Sequence, residues 1–181
     1  MNSSEISKAA IRYREFESEL NQLTSRLCSP VCCRCKEVCC EPKYCAETRS
    51  SYWLRYLLKQ CGTGERYDPS HGWLSSKGCR LKYGRPPVCY EYHCSAIMES
   101  LPDMETCRIL KELGGLMNHI GKNALGSRHL ITLTGDEVST KLNLSRLTKR
   151  IEDAYSILAD GRDYFSRIGG ISIRSELSEE N

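Results

Sequence analysis

The sequence predicts a mainly α protein: a small, irregular cysteine-rich core flanked by amphipathic helices at both ends. Three observations lead there. The first 27 residues carry an apolar seven-residue repeat, residues 144–168 carry another, and eleven of the 12 cysteines fall between Cys28 and Cys94. The chain has 181 residues and a net charge of +3, with 40% apolar and 27% charged residues. That composition suits a folded globular chain. It contains only two Phe and two Trp, so cysteine rather than aromatic bulk distinguishes its interior.

The N-terminal helix is read from Ile6, Tyr13, Leu20 and Leu27, with Ala9, Phe16 and Leu23 three places after the first three. This is an a/d pattern. It leaves Arg12, Arg14, Glu15, Glu17 and Glu19 off the seam, and Pro30 is expected to stop the helix. In the C-terminal helix Leu144, Ile151, Leu158 and Phe165 repeat, Leu147, Ala154 and Ile168 accompany them, Gly161 leaves a gap and Asn143 is the expected cap. A third helix spans about 102–120, with Pro102 in its first turn. Its apolar face is Met104, Cys107, Leu110, Leu113, Met117 and Ile120, and Gly114-Gly115 threatens its continuity. Residues 130–133 read as a short strand or an extended connection. The terminal seams either pair two copies in a homodimer or pack within one chain. Three heptads per helix, with Ala and Gly in the seam, favour packing within one chain.

The chain divides into an N-terminal amphipathic helix (1–27), a cysteine-cluster domain (28–98), a helical C-terminal region (99–172) and a polar tail (173–181). No stretch reaches the roughly 18 apolar residues of a membrane span. Charges at Glu5, Lys8, Arg12, Arg14 and Glu15 occupy the place of a signal-peptide apolar region. A cytoplasmic chain is therefore expected. There a dense cysteine cluster points to metal binding rather than disulfides.

The cluster opens with Cys28, Cys32, Cys33, Cys35, Cys39, Cys40 and Cys45. Cys32-x-x-Cys35 can aim two sulfurs at one ion from a tight turn, half of a tetrahedral thiolate site. Adjacent Cys39 and Cys40 diverge and more naturally reach two neighbouring centres. The second half-site holds Cys79, Cys89 and Cys94, with Pro86-Pro87 restricting the approach to Cys89. Between the halves, residues 51–60 read as a helix whose Trp53, Tyr56 and Leu57, with Cys61 beyond, pack beneath the sites. His93 adjoins Cys94 and is a candidate ligand or donor. His71 reads as an exposed loop residue, and His119 and His129 receive no role.

These motifs resemble the YkgJ-type cysteine cluster family of zinc- or iron-chelating CxxCxxCC domains. The segment is also similar to the cysteine-rich part of flagellin lysine N-methylases. The likeness rests on Cys32-x-x-Cys35 with Cys39-Cys40, and on Gly78-Cys79, Tyr83, Arg85-Pro86, Cys89, Tyr92 and Cys94. Three residues separate Cys35 from Cys39 where the family has two. The resemblance implies about eight ligands: Cys32, Cys35, Cys39, Cys40, Cys45, Cys79, Cys89 and Cys94. Cys28, Cys33, Cys61 and Cys107 are left as spares, of which Cys28 and Cys33 could replace a member of the set and Cys107 reads as a buried small hydrophobe.

Eight thiolates can hold two zinc ions, or four can hold an iron–sulfur cluster with the rest on a second centre. Residues 28–98 carry eleven Lys and Arg against six Asp and Glu. Eight thiolates and two divalent ions would bring that segment near neutrality, which argues against a nucleic-acid partner. Arg85 is the best candidate to donate to a thiolate. No HExxH, GxSxG or phosphate-binding glycine loop is present. The expected function is therefore metal chelation by zinc or iron without demonstrated catalysis. The rivals are an iron–sulfur enzyme modifying a protein side chain and a zinc-stabilised interaction module.

Overall fold

The two terminal repeats become two long helices. The computed structural model describes residues 3–32, 41–60, 67–75 and 78–168. In chain order the elements are α1 (Ser3–Cys32), α2 (Pro42–Ser50), α3 (Tyr52–Gln60), β1 (Leu74–Ser75), β2 (Gly78–Cys79), α4 (Val88–Glu91) and α5 (Ser95–Ser100). Then follow α6 (Met104–Gly114), α7 (Leu116–Gly121), a 3₁₀ turn (Leu130–Thr132), α8 (Gly135–Thr140) and α9 (Leu144–Arg167). The fold is mainly α. β1 and β2 form one short antiparallel pair, Leu74 opposite Cys79 and Ser75 opposite Gly78.

α1 and α9 pack against each other along their apolar seams. Ile6, Ala9, Tyr13, Phe16, Leu20 and Leu23 are buried from α1, and Leu147, Ile151, Ala154, Leu158 and Phe165 from α9. Phe16 meets Tyr155 edge-on at 5.0 Å. Arg12 pairs with Glu152 at 3.2 Å and Arg162 with Glu19 at 2.7 Å. These contacts advance along both helices together, so α1 and α9 run parallel. Each fully buried Leu, Phe or Ile contributes about 1.5–3 kcal/mol. The core continues into α3 through Trp53, Leu54 and Leu57, into α6 and α7 through Leu113, Met117 and Ile120, and into α4 through Tyr90.

A second, smaller core joins Cys45, Trp73 and Leu81, with Leu58, Tyr67 and Cys79 against it. Trp53 and Leu57 were expected beneath the cysteines. They instead pack in the main core, Trp53 edge-on to Tyr13 at 5.7 Å, and Leu58 is the α3 residue facing the smaller core.

Other expectations need correcting. Pro30 does not stop α1, which runs on to Cys32; Pro30 lies in the last turn, where its missing N–H costs one hydrogen bond. The helix expected over 102–120 is two, broken at Gly115 as the glycine pair suggested. Pro102 precedes the N-cap Asp103, whose Oδ1 accepts from the Thr106 amide at 2.7 Å. Met104 is 84% exposed rather than on the buried face, because it occupies the first turn beyond the edge of the core. Cys107 is half-buried and its thiol donates to the Met98 carbonyl at 3.5 Å. Residues 130–132 form a 3₁₀ turn. Asn143 caps α9 as expected, its Oδ1 accepting from the Arg146 amide at 2.9 Å. Ile168 is exposed at the C-cap. Glu17, expected off the buried seam, is fully buried.

Candidate metal centre

The loop joining β2 to α4 links Cys79 to Cys89 of the second half-site, and α1 holds that loop from within the core. Glu17 lies one place beyond Phe16, flanking the apolar seam, and its carboxylate meets the loop at its sharpest turn. Gly84 donates to Glu17 Oε2 at 2.8 Å and Arg85 donates its amide to Oε1 at 2.9 Å. The Tyr90 hydroxyl donates to the same Oε1 at 2.9 Å. On the other side Thr48 Oγ1 of α2 donates to the Gly84 carbonyl at 2.9 Å. Gly84 has φ +76, and a Cβ there would stand 3.2 Å from Leu58 and 3.3 Å from the Leu54 carbonyl oxygen. Both the backbone conformation and the close approach call for glycine. Arg14 of α1 sits 5.7 Å over the Tyr83 ring.

Burial pushes the Glu17 carboxyl up to about 7; the hydrogen bonds from Gly84, Arg85 and Tyr90 and the Arg85 charge oppose that rise. The neighbouring Tyr90 and Tyr13 hydroxyls are held well above the usual phenol value, first by burial and then by the Glu17 charge. Arg85 Nε donates to the Leu81 carbonyl at 2.7 Å and its Nη1 to Asn21 Oδ1 at 2.6 Å. Its guanidinium is half-buried and lies in electrostatic reach of Tyr90, Cys79, Glu17 and Cys89. The hydrogen bonds of the guanidinium fix it to α1 and to its own loop.

The described cysteines fall into distinct surroundings. Cys28 and Cys32 stand one turn apart at the end of α1, on one helix face. Cys94 is the N-cap residue of α5, which packs on α1. Burial pushes the Cys28 thiol up to about 12, and Cys32 and Cys94 push it further in the same direction. Cys28, a spare that the sequence allows to replace a ligand, is thus in electrostatic reach of two predicted ligands. Cys79 on β2 is half-buried, and Cys89 in α4 is exposed. Cys45 is buried in the smaller core, its thiol against Gly72, whose φ is +62. Cys35, Cys39 and Cys40, and the spares Cys33 and Cys61, lie outside the described residues. No disulfide joins the described cysteines to one another. Among the described residues no three His, Cys, Asp or Glu side chains stand in a metal-holding arrangement.

His93 lies against α6, where a Cβ on Gly114 would approach its Cε1 to 3.0 Å. Its Nδ1 is buried with no hydrogen-bond partner among the described residues. Burial and the Lys111 charge hold its pKa below the usual value. His71 is exposed, and its amide donates to Asp68 Oδ1 at 3.0 Å. His129 takes a structural role that the sequence did not suggest. Its Nδ1 accepts from the Ile131 amide at 3.3 Å and its Nε2 faces the Asn118 carbonyl at 3.2 Å. Only the tautomer with hydrogen on Nε2 satisfies both contacts. Its ring lies over Gly121.

A cleft of about 470 Å³ between α2–α3 and the 3₁₀ turn is lined by Glu47, Ser50, Tyr52, Arg55 and residues 131–135. None of these is a cysteine. Glu17, Asn21 and Thr48 are the functional neighbours that sequence reasoning missed. The only signal for Glu17 was its position flanking the seam. Asn21 and Thr48 gave none.

No protein-family model, curated protein or solved structure matches this chain. No described helix is long and apolar enough to cross a membrane.

Proposed function

We propose that this chain chelates zinc or iron, including iron as an iron–sulfur cluster, through thiolates of its 28–94 segment in the cytoplasm. One observation carries the reading: Cys28 and Cys32 stand one turn apart at the end of α1, and Cys94, more than sixty positions along the chain, caps α5, which packs on α1, with no disulfide among the three. Thiols that raise one another's pKa gain most from a cation, which replaces the mutual repulsion of thiolates with attraction. The donor chemistry suits zinc or iron. Cys28, Cys32 and Cys94 do not stand in a metal-holding arrangement as they are and would have to close on an ion to serve one centre. Cys79 and Cys89, with Arg85 beside them, would serve a second. Cys35, Cys39, Cys40 and Cys45 complete the set that the sequence suggests. The ion would supply folding energy, because thiolate ligands must be gathered and deprotonated to bind it.

The test is elemental analysis of anaerobically purified protein beside Cys28→Ser, Cys89→Ser and Cys94→Ser, with Cys107→Ser as control. About two zinc ions per chain, or a brown iron–sulfur chromophore, is expected for the wild type. Each of the three ligand variants should lose metal and melt earlier, and Cys107→Ser should not lose metal. Wild-type protein without metal and with its thiols oxidised in stoichiometric disulfides would overturn the reading.

A further inference from the structure

We propose that His129 is a proton-operated latch on the cleft between α2–α3 and the 3₁₀ turn: the neutral ring closes the turn, and its protonation opens it. Three contacts hold the ring. Nδ1 accepts from the Ile131 amide at 3.3 Å, and Nε2 faces the Asn118 carbonyl at 3.2 Å. The ring also lies against Gly121, where a Cβ would overlap its Cε1 and Nε2. α7 thus supplies both a carbonyl and a floor without a side chain, and these fix the orientation of the ring. Nδ1 must offer a lone pair while Nε2 carries the hydrogen, which only the neutral imidazole can do.

Imidazolium has a hydrogen on both nitrogens and no acceptor. Nδ1–H then meets the Ile131 N–H, donor against donor, and flipping the ring offers no remedy. The turn closes through the same residue. The His129 carbonyl accepts from the Thr132 amide at 3.0 Å and from Thr132 Oγ1 at 2.8 Å, so a displaced His129 loosens both. Leu130 and Leu133 are buried and confine the change to the turn. Ile131 and Thr132 line the cleft of about 470 Å³, so its wall yields when the turn opens. An Asn or Ser in this capping place would accept the same amide whatever the pH; histidine makes closure depend on a proton.

Among the described residues no carboxylate bonds to the ring. Burial, the largest influence, and Arg150 of α9 favour its neutral form, against the Asn118 carbonyl and Glu91 of α4. Arg150 is itself engaged, its Nη1 donating to the His119 carbonyl at 3.1 Å, and His119 on α7 is exposed. Arg128, the preceding residue, is occupied by Glu137 of α8 and by the Thr132 carbonyl. No cysteine takes part in the latch, so it stands apart from the proposed metal binding.

NMR of the isotope-labelled full chain between pH about 5 and about 8 tests the latch. At the higher pH His129 should be the tautomer with hydrogen on Nε2 alone, and its titration midpoint should fall below the ordinary histidine value of about 6.5. Exchange protection of the Ile131 amide, corrected for its intrinsic rate, should drop as pH falls below about 6.5, by up to about tenfold per unit. The Ile151 amide in α9 serves as the reference for global opening. His129→Asn keeps an acceptor for the Ile131 amide but cannot titrate, so in that variant the drop relative to Ile151 should vanish. Should the shorter side chain leave the turn open at every pH, the wild-type tautomer, midpoint and Ile131 exchange still decide. A hydrogen on Nδ1 at the higher pH, a midpoint at or above about 6.5, or equal drops in wild type and variant would overturn the proposal.

Discussion

Glu17 shows how one residue can link acidity to folding. Its carboxyl titrates near 7 in the folded chain against an ordinary value of 4.5. A raised carboxyl pKa means that the folded state holds its proton more tightly than the unfolded one between those limits. Its contribution to stability is fully present below about 4.5 and is lost as pH rises through about 7. His93 and His129 act in the opposite sense. Burial lowers both, so their contribution is present above the ordinary histidine pKa and is lost as pH falls. Denaturant unfolding of wild type and Glu17→Gln at pH about 5 and about 8 separates the two effects. The destabilisation caused by Glu17→Gln should be larger at the lower pH by about 2 kcal/mol. A penalty independent of pH would contradict the assigned ionisation. Composition could not reveal this residue. A glutamate flanking an apolar seam is ordinarily solvated, and only the turn at Gly84, brought from 67 positions away, makes it a buried partner.

At the scale of elements, the adjacent glycines between α6 and α7 have opposite roles. A Cβ on Gly114 would lie 2.6 Å from the Tyr90 carbonyl oxygen, a backbone atom of the α4 turn that cannot step aside cheaply. A Cβ on Gly115 would meet nothing closer than 3.5 Å, and its φ of −74 suits any residue. Gly114→Ala should therefore cost about 2 kcal/mol by overpacking. Gly115→Ala should be neutral or stabilising by about 0.5 kcal/mol, through a less flexible unfolded chain. Thermal melts of the two variants check this, and equal effects would reject the distinction. Gly114 also bears on the site, because the chain it lets in carries Cys89 and Cys94. From sequence the pair read as one weak point in a helix. The difference between them depends on what passes beside each, which local propensity does not encode. Caps were more legible: Asn143 was readable, and Thr134 with Glu137 forms a capping box on α8 from local chemistry alone.

For the whole molecule, the parallel packing of α1 on α9 buries most of the a and d residues of both helices within one chain, as the reading of packing within one chain expects. Sedimentation at micromolar concentration should give a species of 20.6 kDa, and a dimer would show that the helices exchange partners. The same packing explains why residues so far apart in the chain share a core. α1 and α9 run side by side, and the cysteine segment is fastened to one flank of α1 through Glu17, Asn21 and Arg14.

Sequence by itself determined the helical character, the two amphipathic seams, their caps in part and the gathering of cysteines in one segment. Periodicity and spacing are local, and each residue's contribution can be read beside its neighbours. The tertiary structure alone decided that α5, capped by Cys94, packs on α1, that Cys45 lies in a small core, and that a core glutamate holds the loop of Arg85. Those outcomes depend on contacts between segments tens of residues apart. Burial there still disfavours the charged carboxylate, and backbone amides and a hydroxyl offset part of the lost solvent.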